Sequence, residues 1–429
     1  MDTIFALSTA QGKAGVSVVR VSGPDAYLAA KALCGGVPSP RKSSLRVLRT
    51  ADGGRLDEAL VLVFEETQSF TGEAVVEFQC HGSLAVISKL LETLGKMRNF
   101  RLAEPGEFTR RALENDRFDL PQVEGLADLI EAETETQRRQ ALRVFSGELG
   151  QKTERWRQRL IRAAALIEAT IDFADEDVPV DVAPEVSGLL TSVQEDLEKE
   201  IDGYAAAERI RSGFEIAIVG PPNVGKSTLL NYLAGRDAAI TSSHAGTTRD
   251  VIEVRMDLMG LPVTLLDTAG LRDTSDEVEA LGIDRARRRA DQADLRVILV
   301  EHGSEPELEP RAEDLVCVAK TDCLDQFSGR GVSGSTGAGV SELVREIGER
   351  LGNRVADGGL AIRERHRDAL IRGNRSLRRA IISVSSGLEN SELCSEDIRC
   401  TIRALDSLIG RVDIENVLDE IFASFCLGK

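Results

Sequence analysis

Apolar residues in the N-terminal part of the chain recur at strand-like spacing. Thr3–Ser8 and Gly15–Ser22 alternate or run apolar as short strands do, and Leu60–Phe64 and Ala74–Phe78 repeat the pattern. The period then lengthens. Leu84–Leu94 carries apolar residues three to four apart, and Pro105-Gly106-Glu107 opens a helix that runs through Asn115. This mixture predicts an α+β domain over residues 1–118.

From Pro121 to about Arg211 strand punctuation disappears. Leu126, Leu129 and Ile130, then Leu142, Phe145 and Leu149, are spaced for one face of a helix. Leu160, Ile161, Leu166, Ile167 and Ile171 continue that spacing, Asp172–Pro184 reads as an acidic, proline-containing loop, and Val186–Tyr204 resumes as helix. Phe214 to about Arg350 alternates apolar strands with helices, as an α/β domain does. After a Gly352–Gly359 linker, charged amphipathic helices return and end at Phe425. The expected architecture is an N-terminal α+β domain (1–118) and a split helical domain (119–212 and 353–429). An α/β domain (213–352) is inserted into the split one. Two separate helical bundles would give the same periodicity.

Length agrees with this count, since 429 residues at roughly 150 per domain suggest about three domains. Hydrophobic content of 42% with 29% charged residues describes a globular chain with ample core. No apolar run reaches the ~20 residues that span a bilayer. Met1-Asp2-Thr3-Ile4 lacks the basic start of a secretory signal, so a cytoplasmic location is expected. Seven cysteines and four histidines show no metal-ligand spacing and fit a reducing compartment. The net charge of −18 argues against a protein that coats nucleic acid indiscriminately. It leaves room for local basic faces at Arg155–Arg162 and Arg363–Arg379, although such runs are more often solvated helix surfaces.

The chemistry is concentrated in the α/β domain. Gly220-Pro-Pro-Asn223-Val224-Gly225-Lys226-Ser227 matches the phosphate-binding pattern GxxxxGK[ST], with an apolar strand at Glu215–Val219 before it and a helix at Thr228–Leu233 after it. Glycines let backbone N–H groups curl around phosphate, Lys226 supplies positive charge, and Ser227 offers a hydroxyl to Mg²⁺. Gly246-Thr247-Thr248-Arg249-Asp250 is a switch-like loop in which Thr248 is placed to complete the Mg²⁺ shell. Strand Val263–Leu266 runs into Asp267-Thr268-Ala269-Gly270, where Asp267 can hold the metal through water and Gly270 can sense a γ-phosphate. Strand Val316–Val318 delivers Ala319-Lys320-Thr321-Asp322, whose carboxylate accepts hydrogen bonds from guanine and not from adenine. Ser333-Gly334-Ser335 closes the purine site.

Two departures mark this GTP site. Ala319 stands where the base-reading motif usually begins with Asn, and Leu271 stands where a Ras-type switch orients water with glutamine. Some other group must then orient water, and a cation must offset transition-state charge. Asn223 and the polar stretch Ser242–Thr247 could together hold a monovalent cation; simple loop capping is the alternative role for Asn223.

These motifs, with Gly15–Gly23, Ser69–Glu73, Glu77–Gly82, Pro105–Phe108, Asn115–Leu120 and the terminal Phe425-Cys426-Leu427-Gly428-Lys429, resemble the MnmE (TrmE) family of tRNA-modification GTPases over the whole chain. The resemblance implies a homodimer with a folate-binding N-terminal domain, and potassium held by Asn223, Ser242, the His244 carbonyl and Thr247. It also implies that Glu279 orients the attacking water and that a 5-formyl- or methylene-tetrahydrofolate meets Arg20, Glu77, Arg117 and Lys429. Arg117 replaces the lysine usual in the family, which keeps the charge and changes its geometry. Cys426 becomes a functional thiol by resemblance, whereas by periodicity alone it ends an apolar helix.

The implied function is installation of a 5-carboxymethylaminomethyl or aminomethyl group on wobble uridine (position 34) of certain tRNAs. The implied partner is an MnmG-type FAD protein. Two alternatives share the same motifs: a regulatory GTPase switch in ribosome assembly, and a one-carbon enzyme whose GTPase is a structural clamp.

Overall fold

The computed structural model describes residues 2–172, 182–235, 253–267, 288–324, 327, 329–355, 358–387, 391–412, 418, 421, 422, 425 and 428. The chain divides into two compact units, Met1–Ala127 with Asp406–Lys429, and Asp128–Leu405.

The first unit is built on a six-stranded sheet of β1 (Thr3–Leu7), β2 (Ala14–Ser22), β3 (Ser44–Arg49), β4 (Arg55–Phe64), β5 (Val75–Gly82) and β6 (Phe100–Leu102), in the order β3-β4-β5-β2-β1-β6. Neighbours pair antiparallel except β1 with β6. Alternation along β2 sends Val19 and Val21 into a core with Phe78, Val61 and Val63, while Arg20 points to the opposite face beside Glu77. Helices α1 (Ala26–Cys34) and α2 (Leu84–Gly95) supply Ala29, Ala30, Leu33, Leu90 and Leu94 to the same core. Helix α1, β3 and β6 lie outside the elements expected from periodicity. Helix α1 buries small alanines, β3 is an edge strand with Leu45 exposed, and β6 has three residues, so each lacks a long apolar signature.

Behind this core lies an ion network centred on α3 (Glu107–Glu114). Arg111, on that helix, donates to Glu107 at 3.0 Å, Glu73 at 3.1 Å and Asp2 at 3.0 Å. Glu107 also accepts from Arg101 at 2.5 and 2.8 Å and from the Glu104 N–H, and Ser22 donates to Glu73 at 2.7 Å. Burial pushes the Glu107 carboxyl up, but the hydrogen bonds from Arg101, Glu104 and Arg111 more than offset this and leave it below the usual range. Arg101 lowers Asp2 in the same way.

The C-terminal segment packs in this unit. Phe422 and Phe425 join Val123, Phe118 and Leu113 in one apolar cluster. A Cβ on Gly106, at φ 69°, would collide with Phe422. That contact accounts for the glycine in Pro105-Gly106-Glu107.

The second unit holds α5 (Glu135–Phe145), α6 (Glu148–Asp172), α7 (Ala183–Ser212), the α/β sheet and helices α9 (Val340–Val355), α10 (Glu364–Ser385) and α11 (Ser391–Ile409); α4 (Leu120–Glu131) precedes them in the chain. Helix α5 opens on a capping box in which Thr134 and Gln137 satisfy each other's backbone donors. Helix α9 runs through Gly352 to Val355, so the expected Gly352–Gly359 linker is shorter than its composition suggested. Where the chain leaves the α/β domain, buried Glu200 on α7 accepts the Leu360 and Ala361 N–H groups at 2.7 and 3.2 Å and Lys152 at 2.7 Å. Asp294 ties the other side: it meets Arg209 of α7 at 2.9 Å and accepts the Glu215 N–H at 2.9 Å.

The α/β sheet combines β7 (Phe214–Val219), β8 (Glu253–Leu258), β9 (Leu261–Asp267), β10 (Leu295–Val300), β11 (Leu315–Ala319) and β12 (Gly331–Val332). Their order is β12-β11-β10-β7-β9-β8, parallel except at β8. Successive strands fall on opposite sides of β7, so the topology switches there, and ligands of open α/β sheets bind at the carboxyl ends beside such a point. Among the described residues no helix is long and apolar enough to cross a membrane.

Removing Arg111 leaves three carboxylates short of a partner in a buried setting. Arg111→Met is expected to destabilise the first unit by about 3 kcal/mol, read as faster amide exchange in β1 and β5 of the full-length chain. The pH dependence has a definite sign. Lowered carboxyl pKa values contribute stability that is present above the unfolded values near 4 and is lost as pH falls through the folded ones. Protection in β1 and β5 should therefore decline below about pH 4, and Glu107→Gln should flatten the decline. An unchanged acid profile in Glu107→Gln would remove the network from this account.

Candidate functional site: a phosphate cradle and a base-reading loop

Strand β7 ends at Gly220, and the backbone reverses through Pro221–Gly225 into α8 (Lys226–Ala234). Gly220 has φ 150°, and a Cβ there would collide with the Leu299 carbonyl of β10. Gly225 has φ 115° and Asn223 φ 61°, both in the left-handed region. Val224 is fully buried and anchors the loop in the sheet core, while Asn223, Ser227 and Thr228 are exposed at its rim. Lys226 is 7% exposed and donates from Nζ to the Gly220 and Pro221 carbonyls at 2.7 and 2.9 Å. This loop fits a polyphosphate. A helix N-terminus, a left-handed turn and an ammonium group converge where the sheet topology switches; Gly220 lacks room for a side chain, and Gly225 needs glycine for its backbone angle alone.

Asp267 ends β9 in register with Ile218 of β7, which puts its backbone beside the cradle. Ser242, His244, Thr247, Thr248, Thr268, Ala269, Gly270 and Glu279 lie outside the described residues, as do Cys426 and Lys429. Asn223 and Ser227 are thus the described members of the expected potassium and magnesium sets. Among the described residues no cluster of His, Cys, Asp and Glu could hold a metal ion.

The base-reading loop follows β11. Lys320 takes φ 56° and starts the short turn Thr321–Cys323 that presents Asp322. Ser335 donates to Asp322 Oδ2 at 3.1 Å, and the Ser333 and Ser335 hydroxyls are 2.9 Å apart. The Ser333 hydrogen bond is the main cause that holds the Asp322 carboxyl below the usual range. An ionised acceptor therefore stands on this turn across neutral pH. Ala319 is buried and contributes only a methyl group. Ser335 belongs to the Ser333-Gly334-Ser335 stretch expected to close the purine site, and its contact with Asp322 is what the sequence did not show.

In the first unit Arg20 and Glu77 pair across β2 and β5 at 2.9 Å, with side chains 19% and 15% exposed. The Arg20 guanidinium lies 5.2 Å from the Phe70 ring centre and 5.7 Å from that of Phe108. Sequence reasoning missed these two rings, although both sit in stretches that carried the family resemblance. Arg117 is exposed, and its stem lies beside Gly72. The tail reaches the end of β1, where Ser8 donates to the Gly428 carbonyl at 3.0 Å. Gly428 has φ 104°, and a Cβ there would collide with the Leu7 carbonyl.

The basic stretches are largely engaged in pairs with other helices. Arg159 meets Asp196 at 3.2 Å, Arg162 meets Glu185 at 3.1 Å, Arg363 meets Asp128 at 2.7 Å and Arg378 meets Glu198 at 2.8 Å. These contacts staple helices together and do not by themselves mark a nucleic-acid face. Among the thiols, Cys80, Cys317 and Cys394 are buried, and burial pushes Cys317 up to about 12 and Cys394 up to about 11.

Comparison with known proteins agrees with this arrangement. The MnmE helical domain family matches residues 120–426, and the family described as GTP-binding protein TrmE N-terminus matches residues 3–117. The chain belongs to the MnmE family. Proteins described as tRNA modification GTPase MnmE align with it end to end. Those of Roseobacter denitrificans and Cereibacter sphaeroides are 59% identical over 429 and 430 residues, covering 100% of both chains. That of Paracoccus denitrificans is 48% identical over 429 residues, again covering 100% of both. The expected multidomain α+β and α/β class holds for this member of the family: an α+β N-terminal part, helices, and a separate mixed sheet with the phosphate loop.

Asp322→Asn tests the base-reading assignment. Guanine offers donors at N1 and N2, whereas xanthine presents a carbonyl at C2 that an amide can satisfy. The variant should lose at least ~100-fold in kcat/KM for GTP and gain activity on xanthosine triphosphate. Unchanged GTP kinetics would remove Asp322 from the site.

Proposed function

We propose that the chain hydrolyses GTP and uses that turnover in modifying the wobble uridine of tRNA. It acts as a homodimer with an MnmG-type flavoprotein in the cytoplasm, and a tetrahydrofolate donates the one-carbon unit. The observation that carries the reading is the full-length match to MnmE proteins at 59% identity together with an intact phosphate cradle. That match favours this function over a ribosome-assembly switch, whose motifs would be shared only within the α/β domain.

In this reading the chain's own groups do the following. The N–H groups of Asn223–Thr228 wrap the β-phosphate, and Lys226 moves from the Gly220 and Pro221 carbonyls to the β- and γ-oxygens. Ser227, Thr248 and Asp267 hold Mg²⁺. Asn223, Ser242, the His244 carbonyl and Thr247 hold K⁺. These ions supply positive charge to the phosphoryl oxygens when bound. Glu279 orients the attacking water, the task that glutamine performs in Ras-type switches. Thr268, Ala269 and Gly270 follow the γ-phosphate, and Lys320, Asp322 and Ser333 read guanine.

The Arg20–Glu77 pair beside Phe70 fits a flat heterocycle with amino and amide donors: a carboxylate accepts from the ring and the half-buried Phe70 gives it apolar surface, while buried Phe108 backs the Arg20 guanidinium. Arg117 and Lys429 offer positive charge to a folate's carboxylates. Phe422 and Gly428, which precede and follow Cys426 in the chain, pack within the same unit as that pair, and the role proposed for the Cys426 thiol rests on the family resemblance.

Cells carrying Lys226→Ala or Cys426→Ser should accumulate tRNA with unmodified wobble uridine, measured by nucleoside mass spectrometry. Normal uridine modification with defective ribosomal subunits would overturn the function. GTP turnover by purified protein should be at least ~10-fold faster in KCl than in NaCl, because a site sized for K⁺ stays empty with the smaller Na⁺ and so lacks one well-placed charge in a phosphoryl-transfer site. Equal rates in the two salts would reject the cation set.

A further inference from the structure

The first turn of α5 holds two ties to the α/β part at once. Thr136, in that turn, donates its N–H to the Gly260 carbonyl at 3.3 Å, so a helix-start donor that the capping box does not satisfy finds its acceptor at the tip of the β8–β9 hairpin. The second tie runs through Gln137. Its Oε1 accepts the Glu133 and Thr134 N–H groups at 3.0 and 3.1 Å, and its Nε2 donates to the Arg211 carbonyl at 3.1 Å. Arg211 lies in the last turn of α7, just before β7 and the phosphate cradle. Arg211 in turn donates to the Ile362 carbonyl at 3.2 Å, where the chain has left the α/β sheet, and Val144 of α5 packs with Ala207 and Ile362. Helix α5 therefore meets the chain where it enters the α/β part, where it leaves it, and at the hairpin tip.

The hairpin has the build of a lever. Register pairs from Glu253–Leu266 to Leu258–Leu261 close it without a bulge, a ladder about 20 Å long at the rise of a strand, so its two arms move together. Met259 at φ 56° and Gly260 at φ 86° form a two-residue turn, a geometry that needs positive φ at both positions, and Asp257 accepts the Gly260 N–H at 2.6 Å. In sequence, Gly246–Asp250 precedes β8 and Asp267–Gly270 begins at the last residue of β9. These are the two stretches expected to meet Mg²⁺ and the γ-phosphate.

We infer that the first turn of α5 is the coupling element through which the state of the nucleotide site reaches the helices, with the β8–β9 hairpin as its lever and Gln137 as its positioning residue. The inference rests on the GTP reading of that site and adds to it the route by which the site is read. The Thr136–Gly260 bond stands at the long end of the N–H···O range, so a small displacement of the tip either tightens it or breaks it. Gln137 holds the receiving turn against the end of α7. The displacement is then felt between the hairpin and α5, and the two do not simply move together.

Amide exchange of the full-length protein with GDP and with a non-hydrolysable GTP analogue, each in KCl and MgCl₂, tests this. Exchange of the peptide Thr134–Gln140 should differ about fivefold between the two nucleotides, the scale of one net backbone hydrogen bond. Asp257→Ala, which loosens the hairpin tip, should shrink that difference and leave kcat/KM for GTP unchanged. Gln137→Glu keeps the acceptor of the capping box but cannot donate to the Arg211 carbonyl. It should shrink the difference as well, while α5 keeps its wild-type protection with GDP. A full nucleotide difference in Gln137→Glu would reduce this residue to a helix cap and overturn the inference. So would equal α5 exchange with the two nucleotides in the wild type while peptides of α8 and β9 respond to them. Failure of both nucleotides to protect the phosphate loop would instead overturn the GTP reading on which the inference stands.

Discussion

A polyphosphate has to be held by backbone N–H groups, and a strand has to end where those groups can turn inward. The close approach of Gly220 to the Leu299 carbonyl is where this chain meets that requirement. A side chain there would push β7 and β10 apart and take the loop off the sheet. The register of β7 between β9 and β10 brings the strand end to the point where the topology switches. Val224 then pins the loop from below, and Lys226 rests on the loop's own carbonyls. The order of the sheet, the left-handed turn at Asn223 and the seat of the base-reading loop on α8 all follow from keeping this cradle rigid.

Outside the cradle the second unit holds its α/β part by its ends. Asp294 fastens the start of β7 to α7 and to the start of β10, and Glu200 fastens the chain where it leaves. Both are carboxylates that accept backbone N–H groups, which satisfies donors that a strand start or a linker would otherwise leave buried without a partner. Burial raises the Asp294 pKa even beside Arg209. The first unit uses the same chemistry with arginines as donors. Arg101 and Arg111 gather Asp2, Glu73 and Glu107 from stretches far apart in the chain.

The resemblance motifs of the N-terminal part turn out to have different physical meanings. Glu73 and Glu107 are ion-network members, and Gly106 makes room for Phe422. Arg20 and Glu77 pair beside Phe70 and Phe108 on the same face of the sheet, since Ser22, two residues on from Arg20 along β2, reaches Glu73. Phe70 and Glu73 share one short motif and Glu107 and Phe108 another, and neither motif hinted at this division, because adjacent residues of a turn or a helix point in different directions. Elements with long apolar runs, such as β2, α2 and β7, were legible from the sequence. The edge strand β3 and the alanine-lined α1 were not, since their burial is supplied by neighbours and not by their own hydrophobicity.

By itself the sequence determined the nucleotide chemistry. GxxxxGKS, Asp-Thr-Ala-Gly and Lys-Thr-Asp are local, and the task expected of each falls to residues adjacent in the chain. It also showed that Ala319 leaves a vacancy in the base-reading motif. Only the tertiary structure decided which hydroxyl meets the Asp322 carboxylate of that motif. Ser335 reaches Asp322 because glycines at 334 and 337 let one loop settle on α8. It also decided that the terminal Gly428 is fastened at the end of β1, a contact between residues at opposite ends of the chain. Such pairings depend on the close packing of distant segments, and no local pattern of apolar and polar positions encodes them.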